Sequence, residues 1–431
     1  MVELPKQYNI KESESRWLKY WEEHDIFKFD NKSDKETFAV DNPPPTVSGK
    51  MHLGHSFSYA QQDINVRVRR MLGYNVYYPF GTDDNGLPTE KLVEKLKKVR
   101  SVAMERSEFV KLCNETLKEI KDDFVLDWKK IGMSCDFKNA SYSTIDPYCI
   151  KTSQASFVDL FNKKLVYQDE APSMWCVNCQ TAIAQAELED ADLSSTFNDV
   201  EFSIVDLDEK IIIATTRPEL LPACVCIFVN PNDKRYLHLI GKKAKVPLFE
   251  QEVTIFADES AQMDKGSGIL MICSYGDRFD VDAIKRHKLK ARVCIARDGK
   301  LNDVAKEFNG LKIKEARLKI LEKLESTGFL KNKKQITHTV NVHDKCGFEI
   351  EFLTTKQWFV KVCDFKEAIK RYGSKINWYP LSMKTRFDNW VENLNWDWCI
   401  SRQRHFGVSI PIWYCDKCGA LKIASIKQLP V

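Results

Sequence analysis

No run of apolar residues in this 431-residue sequence reaches the roughly eighteen positions that a membrane-spanning helix needs. The first residues, MVELPKQYNIKESESRW, contain no apolar stretch of the kind that a secretory signal peptide carries. Internal repeats and low-complexity tracts are also missing, which argues against solenoid and disordered architectures. These absences predict a globular, cytoplasmic protein with no membrane partner.

Cysteines are numerous, but they do not have the pattern of a disulfide scaffold. Only two pairs among the 14 have C-x-x-C spacing, and a chain with 43% hydrophobic residues can build a core without cross-links. Cys224, Cys226, Cys273 and Cys294 lie in apolar surroundings and are predicted to be buried, reduced thiols. The net charge of +4 is compatible with a nucleic-acid partner but does not indicate one.

The residues around position 50 have the pattern of a phosphate-binding site. Phe38–Val40 is predicted to form a short buried strand, a Pro/Gly/Ser loop follows, and His52 opens a helix that ends near Leu72. A helix N-terminus offers free backbone N–H groups to an anion, and Gly54 would let a ligand approach the backbone between His52 and His55. The alternative is a pair of histidines that cap the helix and bind no ligand.

The next strand is predicted over Asn75–Phe80, parallel to the first through a right-handed crossover. Because ligands of parallel sheets bind outside the carboxyl ends of strands, Asp83 and Asp84 should lie at the same edge as the histidines. An Asx turn remains the alternative for one of the two aspartates. Three arginines near the end of the intervening helix are expected to be solvated: Arg67, Arg69 and Arg70.

Further elements follow from periodicity. Helices are predicted over Ser13–Phe27, with Ser13 as a possible cap, over Glu105–Ile131 and over Pro147–Leu165. Strand-like segments dominate from about Asp190 to Thr337, namely Ile211–Ala214, Ala223–Val229, Val253–Ala257, Gly268–Cys273 and Lys290–Ala296.

Two cysteine pairs suggest metal sites. Cys176 and Cys179 supply half of a tetrahedral zinc site, and His343 and Cys346 are the candidates for the other half, which makes the β-rich body between them an insertion. An unmetallated pair of thiols is the alternative. The second pair, Cys415 and Cys418, is a possible second site, but no further cysteine follows it in these residues.

These motifs together resemble those of the class I aminoacyl-tRNA synthetases, whose His-x-Gly-His signature matches His52-Leu53-Gly54-His55. Within that class, Pro43–Gly49 and Gly81–Glu90 look most like the valyl-tRNA synthetases of the archaeal type. The segments Thr215–Glu219, Gly266–Ile269 and Gly276–Asp280 are similar to the editing domain that valyl-, isoleucyl- and leucyl-tRNA synthetases share, and Asn395–Arg404 is similar to the start of the second half of the catalytic domain.

The resemblance implies an α/β fold in which a Rossmann-like nucleotide-binding domain is split by a zinc-ribbon lobe and a β-rich editing domain. The expected division assigns 1–165 to an N-terminal helix and the first half of the catalytic domain. The zinc-ribbon lobe would take 166–189 and 338–352, and the editing domain 190–337. Residues 353–431 would begin the second half of the catalytic domain and contain an incomplete second zinc ribbon.

The resemblance also implies ATP- and Mg²⁺-dependent activation of valine and its transfer to tRNA(Val). In that activity His52 and His55 would stabilise phosphate charge, Gly54 would admit the adenine, and Asp83 would pair with the ammonium group of the amino acid. The residues expected to shape the side-chain pocket are Asn42, Pro43, Pro44 and Pro45.

Editing is implied because valyl-tRNA synthetases are the known example of an apolar pocket that rejects isosteric threonine by only about a hundredfold. Asp280 would bind the α-amino group of the mischarged residue. The site would be lined by Thr215, Thr216, Arg217 and Asp277, although the alternative for Asp277 is a helix cap. Met271 and Cys273 replace the lysine and threonine of some relatives, so recognition of the threonine hydroxyl would need other groups.

No segment like the Lys-Met-Ser-Lys-Ser loop of class I enzymes occurs here, nor does a helical bundle that could read an anticodon stem. The resemblance therefore predicts an N-terminal portion whose valine activation alone is impaired, and whose complement is a C-terminal half carrying that loop, on the same or a separate polypeptide. The alternatives are an isoleucyl-tRNA synthetase relative, which Asn85 and Thr89 disfavour, a stand-alone editing module, and a catalytically silent tRNA-binding fragment.

Overall fold

The computed structural model describes residues 7–47 and 50–431. Ser48 and Gly49 of the proline-rich motif lie outside the described residues. The chain folds into two compact units. The first unit comprises the described part of Met1–Lys163 together with Arg404–Val431, and the second comprises Lys164–Gln403. No helix among the described residues is both long and apolar enough to cross a membrane.

The fold is mixed α/β. The strands are β1 Thr37–Ala39, β2 Asn75–Tyr77, β3 Phe80–Thr82, β4 Ser141–Ser143, β5 Val166–Cys176, β6 Thr181–Ala182, β7 Leu188–Ile204, β8 Lys210–Thr215, β9 Cys224–Val229, β10 Lys243–Lys245, β11 Glu252–Ala257, β12 Ile269–Cys273, β13 Leu330–His343, β14 Glu351–Val360, β15 Trp398–Cys399, β16 Ile412–Tyr414 and β17 Leu421–Ile423. The α-helices are α1 Ile10–Glu23, α2 Leu53–Met71, α3 Leu87–Lys97, α4 Arg106–Lys130, α5 Pro147–Asn162, α6 Arg278–Arg286, α7 Ile313–Ser326, α8 Lys366–Gly373 and α9 Ser382–Glu392.

The first unit is built on parallel strand pairs. β1 pairs with β2, and β3, which follows β2 almost directly, pairs with β4. Helix α2 connects β1 to β2, as a parallel pair requires. The core beneath the helices is aromatic, and Tyr59, Tyr78, Phe80 and Trp128 are all buried in it.

The second unit is dominated by two sheets. A four-stranded antiparallel sheet has the order β15-β14-β5-β6, and a seven-stranded sheet has the order β12-β9-β11-β10-β7-β13 with β8 also paired to β7. The longest ladder joins β7 and β13, from Val200 opposite Leu330 to Leu188 opposite His343. The Leu188–His343 end of this ladder lies beside the turn that carries Cys346, whose N–H donates to the His343 carbonyl at 3.1 Å.

Most predicted elements of the chain are confirmed within a few residues. α4 and α5 match the predicted helices, the parallel pairing of β1 with β2 is as expected, and the strands predicted near Ile211, Ala223, Val253 and Gly268 are β8, β9, β11 and β12. The predicted burial of four thiols is also confirmed, for Cys224, Cys226, Cys273 and Cys294.

Four predictions were wrong. The strand predicted over Phe38–Val40 exists as Thr37–Ala39, but its predicted burial is wrong: Thr37 and Ala39 are exposed, and among the described strands β1 pairs only with β2. Helix α1 is capped by Asn9, whose side chain accepts from the Glu12 N–H, and not by Ser13. Lys290–Ala296 forms no strand and contributes only a bridge between Ile295 and Leu301.

The fourth wrong prediction concerns the arginines of α2, which are half-buried and bound to specific partners. Arg67 donates to the Asp63 carboxylate at 2.6 Å, and Arg70 donates to the Ser134 carbonyl at 2.7 Å. The guanidinium of Arg69 lies 5.0 Å from the ring centre of Phe38. The Asp63 partner of Arg67 lies at the (i, i+4) spacing that favours such a pair, but the partners of Arg69 and Arg70 come from distant parts of the chain, which a charge pattern near a helix end cannot reveal.

Candidate functional site

The two predicted histidines lie together at the start of α2. His52 is the N-cap, and its Nδ1 accepts from the His55 N–H at 3.3 Å, while the two imidazole rings stack with centres 3.7 Å apart. A Cβ at Gly54 would lie 3.1 Å from His52 Nδ1, so the glycine leaves room for that ring. His52 therefore caps α2, and the proposed role of the pair toward a ligand stays a prediction.

His55 differs from His52 because it is partly buried. Burial, followed by the neighbouring His52, lowers the pKa of His55, so the neutral imidazole is favoured. Its Nδ1 is buried and has no hydrogen-bond partner among the described residues. An unpaired polar atom of this kind calls for a partner from outside the protein.

Asp83 lies beside the proline-rich loop. Its backbone N–H donates to the Pro45 carbonyl at 2.9 Å, and its own carbonyl accepts from the Val47 N–H at 3.2 Å. The carboxylate accepts from the Thr144 hydroxyl at 3.0 Å, and burial raises the pKa of Asp83 despite that bond. Nearby, Asn42 is buried, and the Tyr59 hydroxyl donates to the Pro43 carbonyl at 2.5 Å. The loop and the strand end thus form one structure.

Asp84 has a structural environment. Its carboxylate accepts from the hydroxyls of Thr82, at 2.9 Å, and Ser143, and it pairs with Lys121 at 3.3 Å. Of the two adjacent aspartates, Asp83 is the more accessible one, because it is half-buried whereas Asp84 is buried. Three buried side-chain oxygens between Asp84 and Thr89 have no hydrogen-bond partner in the described structure: Asp84 Oδ1, Asn85 Oδ1 and Thr89 Oγ1.

A buried ion pair in the same unit was missed by sequence reasoning. Arg404 and Glu90 have side chains that are 5% and 0% exposed, and the guanidinium donates to the carboxylate. The Arg404 guanidinium also donates to the Ser101 hydroxyl at 3.0 Å, and the Phe406 N–H donates to Glu90 at 2.6 Å. Glu90 is the last residue of the Gly81–Glu90 motif, and Arg404 is the last residue of the Asn395–Arg404 motif. They are more than 300 positions apart, and nothing in the sequence indicates that they pair.

The second unit brings the residues of the predicted editing site together around Arg217. The Arg217 N–H donates to the Thr215 hydroxyl at 3.0 Å, and its guanidinium donates to the Gly276 carbonyl at 2.9 Å. The same guanidinium bonds both oxygens of Glu351, at 2.8 and 2.7 Å, and Glu219 at 3.1 Å. Burial alone would lower the pKa of Arg217, but the two carboxylates raise it above its usual value.

Asp280 is buried against the loop that carries Gly276. Its carboxylate accepts from the backbone N–H groups of Gly276, at 2.9 Å, and Cys273, at 3.2 Å. Burial, together with the charge of Asp277, raises the pKa of Asp280 to about 7. Asp277 is exposed and caps α6 by accepting from the Asp280 N–H at 2.9 Å, which is the predicted alternative role.

The remaining residues of the predicted editing site make fewer side-chain contacts with Arg217 and Asp280. Thr216 is half-buried beside Thr215, and Met271 is half-buried on β12. Cys273 is buried, and its backbone rather than its thiol contacts Asp280. The contribution of Glu219 and Glu351 was missed, because Glu351 lies outside every segment assigned to this site from the sequence.

The four predicted ligands Cys176, Cys179, His343 and Cys346 lie in one cluster. One ligand atom of each falls within 4.8 Å of all the others, and the two sulfurs of Cys176 and Cys346 are 3.4 Å apart. Three thiols and an imidazole form a donor set that suits tetrahedral zinc. His343 is fully buried, and its Nε2 has no hydrogen-bond partner in the described structure.

The second cysteine pair lies at an exposed turn. Cys415 and Cys418 connect β16 and β17, and Gly419 follows with φ of +68°, in the left-handed region that glycine adopts without strain. Among the described residues, no third histidine, cysteine or acid completes a metal cluster with this pair.

Comparison with known proteins shows the family of the chain. A family model described as tRNA synthetases class I (I, L, M and V) matches residues 16–429. The valine–tRNA ligase of Thermoplasma acidophilum is 45% identical over 423 residues, which cover 98% of this chain and 53% of the relative. That of Rickettsia prowazekii is 45% identical over 436 residues, covering 100% of this chain and 53% of the relative.

The predicted resemblance to valyl-tRNA synthetases is thus confirmed as a similarity, and the chain spans about half the length of the relatives it matches. Among solved structures, a ternary complex of LeuRS, tRNA and LeuAMS from Agrobacterium radiobacter K84 aligns with 98% of this chain and 53% of that chain, at a TM-score of 0.45 and 19% identity. Because the family model covers nearly the whole chain, this protein belongs to the class I tRNA synthetases.

Proposed function

We propose that this chain provides the valine-activating site and the editing site of a valine–tRNA ligase. The observation that supports the activation site is the backbone hydrogen bond from the Asp83 N–H to the Pro45 carbonyl, which joins Asp83 to the proline-rich loop. The same unit contains helix α2, which starts at His52 and His55. The similarity to valine–tRNA ligases supports valine as the substrate and tRNA(Val) as the acceptor. The partners would be valine, tRNA(Val) and ATP with Mg²⁺, and the compartment the cytoplasm.

In the proposed activation the carboxylate of valine attacks the α-phosphate of ATP, which releases pyrophosphate and leaves an aminoacyl adenylate. The protein's task is to position the reactants and to stabilise the developing charge. The N-terminus of α2 and the unpaired Nδ1 of His55 suit the phosphate, and Gly54 leaves the backbone open beside it. Mg²⁺ would neutralise charge on the pyrophosphate as it leaves.

For the amino acid, Asp83 is the proposed partner of the ammonium group. The Thr144 hydroxyl holds the Asp83 carboxylate, the loop from Pro43 to Val47 holds its backbone, and the half-buried side chain remains within reach of a ligand. Asn42, Pro43, Pro44 and Pro45 would shape the pocket around the side chain. Their burial varies, and Asn42 and Pro45 are the buried members.

The proposed editing reaction is hydrolysis of the ester that joins threonine to tRNA(Val), by which water yields free threonine and the tRNA 3′ hydroxyl. Asp280 would bind the α-amino group, and Thr215, Thr216, Arg217 and Asp277 would line the site. The shared contact with Gly276 supports this assignment, because it holds Arg217 and Asp280 against the same loop. Met271 and Cys273 leave recognition of the threonine hydroxyl to other groups.

For the metal cluster, we propose a structural zinc ion held by Cys176, Cys179, His343 and Cys346. Such an ion would fix the two cysteine-bearing turns on either side of the β-rich insertion, as the proposed domain arrangement requires. A second ion at Cys415 and Cys418 would need ligands beyond the described cluster.

Two assays test the two activities separately. We expect valine-dependent ATP–pyrophosphate exchange to be slow with this chain, because it lacks a Lys-Met-Ser-Lys-Ser-like segment, and to fall by a further hundredfold or so in His55→Ala, as when one charge-stabilising donor is lost. Exchange that follows isoleucine rather than valine would favour the isoleucyl alternative. Exchange at the rate of full-length relatives would contradict the expected dependence on a Lys-Met-Ser-Lys-Ser-like segment.

The second assay measures release of threonine from threonyl-tRNA(Val). We expect hydrolysis by the chain and a loss of at least tenfold in Asp280→Asn, with His55→Ala unaffected. Hydrolysis without any exchange would favour the stand-alone editing module. Binding of tRNA without either reaction would favour a silent binding fragment and would sink the proposed catalytic roles.

A further inference from the structure

The one histidine of the metal cluster presents its two ring nitrogens to different neighbours. Nδ1 of His343 lies 3.4 Å from the Cys346 sulfur, inside the set of four clustered ligands. Nε2 lies 3.7 Å from Oδ1 of Asp344, which is not a member of that set. The two nitrogens are not equivalent, because the hydrogen bond made by one decides whether the other can bind a metal.

Neither of the facing atoms, His343 Nε2 and Asp344 Oδ1, has a hydrogen-bond partner in the described part of the chain. Both atoms are buried, and a buried polar atom without a partner destabilises the fold. Their separation of 3.7 Å exceeds that of an N–H···O bond, which is about 2.7–3.2 Å. A movement of the ring or the carboxylate by less than about 1 Å would therefore give each atom the other as its partner.

The Asp344 carboxylate is oriented by contacts that leave Oδ1 available for this bond. The backbone N–H of Asp344 donates to the Glu187 carbonyl at 3.0 Å. The second carboxylate oxygen, Oδ2, pairs with the Lys345 ammonium at 2.7 Å. These contacts fix the residue at its backbone and at its far oxygen, so Oδ1 faces His343 before any metal binds.

Asp344 also lies in the turn that carries two of the four clustered ligands. The N–H groups of Cys346 and Gly347 both donate to the His343 carbonyl, at 3.1 and 2.8 Å. Because His343 is fully buried, only protein groups and a bound metal can contact its ring. The choice between Nδ1 and Nε2 as the metal ligand is therefore made by the neighbours of the ring within this turn and the cluster.

We propose that Asp344 is a positioning residue for the metal cluster, which accepts the Nε2–H of His343 and so directs Nδ1 of that ring to the ion. A neutral imidazole carries one proton, and when Nε2 holds it the lone pair of Nδ1 is available to a metal. A carboxylate in this position orients a metal-binding histidine and makes it a stronger ligand. This role rests on the structural zinc ion proposed above.

Zinc affinity of the 431-residue chain, measured by competition with a chromophoric chelator, tests this role. We expect Asp344→Ala to bind zinc about 10–100-fold more weakly, as when other partners of metal-binding histidines are removed. In Asp344→Asn the side-chain oxygen can still accept from Nε2–H, so the loss should be smaller. The matched control is Glu209→Gln, because the Glu209 carboxylate contacts His238 at 3.0 Å outside the cluster, and this variant should bind zinc like the parent.

An aspartate that only stabilised the turn would act through its ion pair with Lys345. Lys345→Met removes that pair and leaves Oδ1 of Asp344 in place, so we expect it to retain the zinc affinity of the parent chain. Equal losses of affinity in Lys345→Met and Asp344→Ala would overturn the positioning role.

NMR of the chain with isotope-labelled histidines reads the protonated nitrogen without any variant. In the zinc-loaded chain we expect His343 to carry its proton on Nε2. A proton on Nδ1, or an unchanged zinc affinity in Asp344→Ala, would overturn the proposal and leave the zinc site standing. A parent chain that binds no zinc would instead remove the zinc site itself, and the role of Asp344 with it.

Discussion

Glu351 holds Arg217 by two hydrogen bonds, at 2.8 and 2.7 Å, although it lies outside every segment that resembles an editing motif. Arg217 also bonds Glu219, which is fully buried and accepts from Arg317 at 2.9 and 2.8 Å. Because these charges are buried, leaving any one of them without its partner would destabilise the folded protein. Glu351 is therefore a positioning residue for Arg217 and, through the Gly276 carbonyl, for the loop that binds Asp280.

Replacing Glu351 by glutamine should weaken this arrangement. In this variant the buried Arg217 guanidinium loses its bidentate, charged carboxylate partner. We therefore expect the free energy of unfolding to fall by about 2 kcal/mol or more. Urea denaturation measures this loss. Deacylation of threonyl-tRNA(Val) should show a raised KM together with a lower kcat, because Arg217 is no longer fixed.

The control for Glu351→Gln is Glu252→Gln, which removes an exposed ion pair with Lys243 from the same unit. Exposed pairs contribute about 0–1 kcal/mol, so this variant should be close to the parent in both measurements. Equal effects of the two substitutions would remove the positioning role from Glu351.

Asp280 should give editing a pH dependence near neutrality. Its pKa is raised to about 7, so the folded chain holds a proton there that the unfolded chain releases near the ordinary aspartate pKa of 3.8. This contribution to stability is present at low pH and is lost as the pH rises from about 4 to about 7. Because binding of an ammonium group needs the carboxylate, deacylation should rise with pH over the upper part of this range.

The substitution Asp277→Asn separates Asp280 from other groups that titrate in the same range, such as the amine of the substrate. Asparagine still caps α6, but it removes the negative charge that helps to raise the pKa of Asp280. The midpoint of the kcat/KM profile should therefore move to lower pH. A profile that stays in place would show that Asp280 does not set it.

The cysteine cluster predicts one bound zinc ion per chain. Metal analysis of the purified protein should find it, and Cys346→Ser should remove most of it, because that thiol is one of only four clustered ligands among the described residues. Since structural zinc contributes directly to folding, the variant and the chelated protein should melt at lower temperature. Cys415→Ser serves as the control and should change neither zinc content nor melting.

The sequence predicted the local features well and the partnerships poorly. Helices α4 and α5 were predictable because 3.6-residue periodicity and residues that start or stop helices determine them. The clustering of Cys176 with Cys346 was predictable because metal sites use few residue types at typical spacings. The exposure of β1 was not predictable, because burial depends on neighbours that sequence periodicity does not name. The same holds for Glu351 and for Arg404, whose partners lie more than 100 positions away.

The pair of Arg404 and Glu90 leads to the last prediction, which concerns stability of the first unit. Both side chains are nearly or fully buried, and Glu90 also accepts from the Phe406 N–H at 2.6 Å. In Glu90→Gln the guanidinium stays buried, loses its nearest counter-charge and keeps only Glu94 at 3.7 Å, so we expect a loss of about 3 kcal/mol in the free energy of unfolding. The exposed Glu119, which pairs with Lys97, supplies the control Glu119→Gln, with an expected change of about 0–1 kcal/mol. Urea unfolding followed by tryptophan fluorescence distinguishes the two, since Trp128 lies in the core of this unit. A midpoint for Glu90→Gln equal to that of its control would contradict a stabilising role for the buried pair.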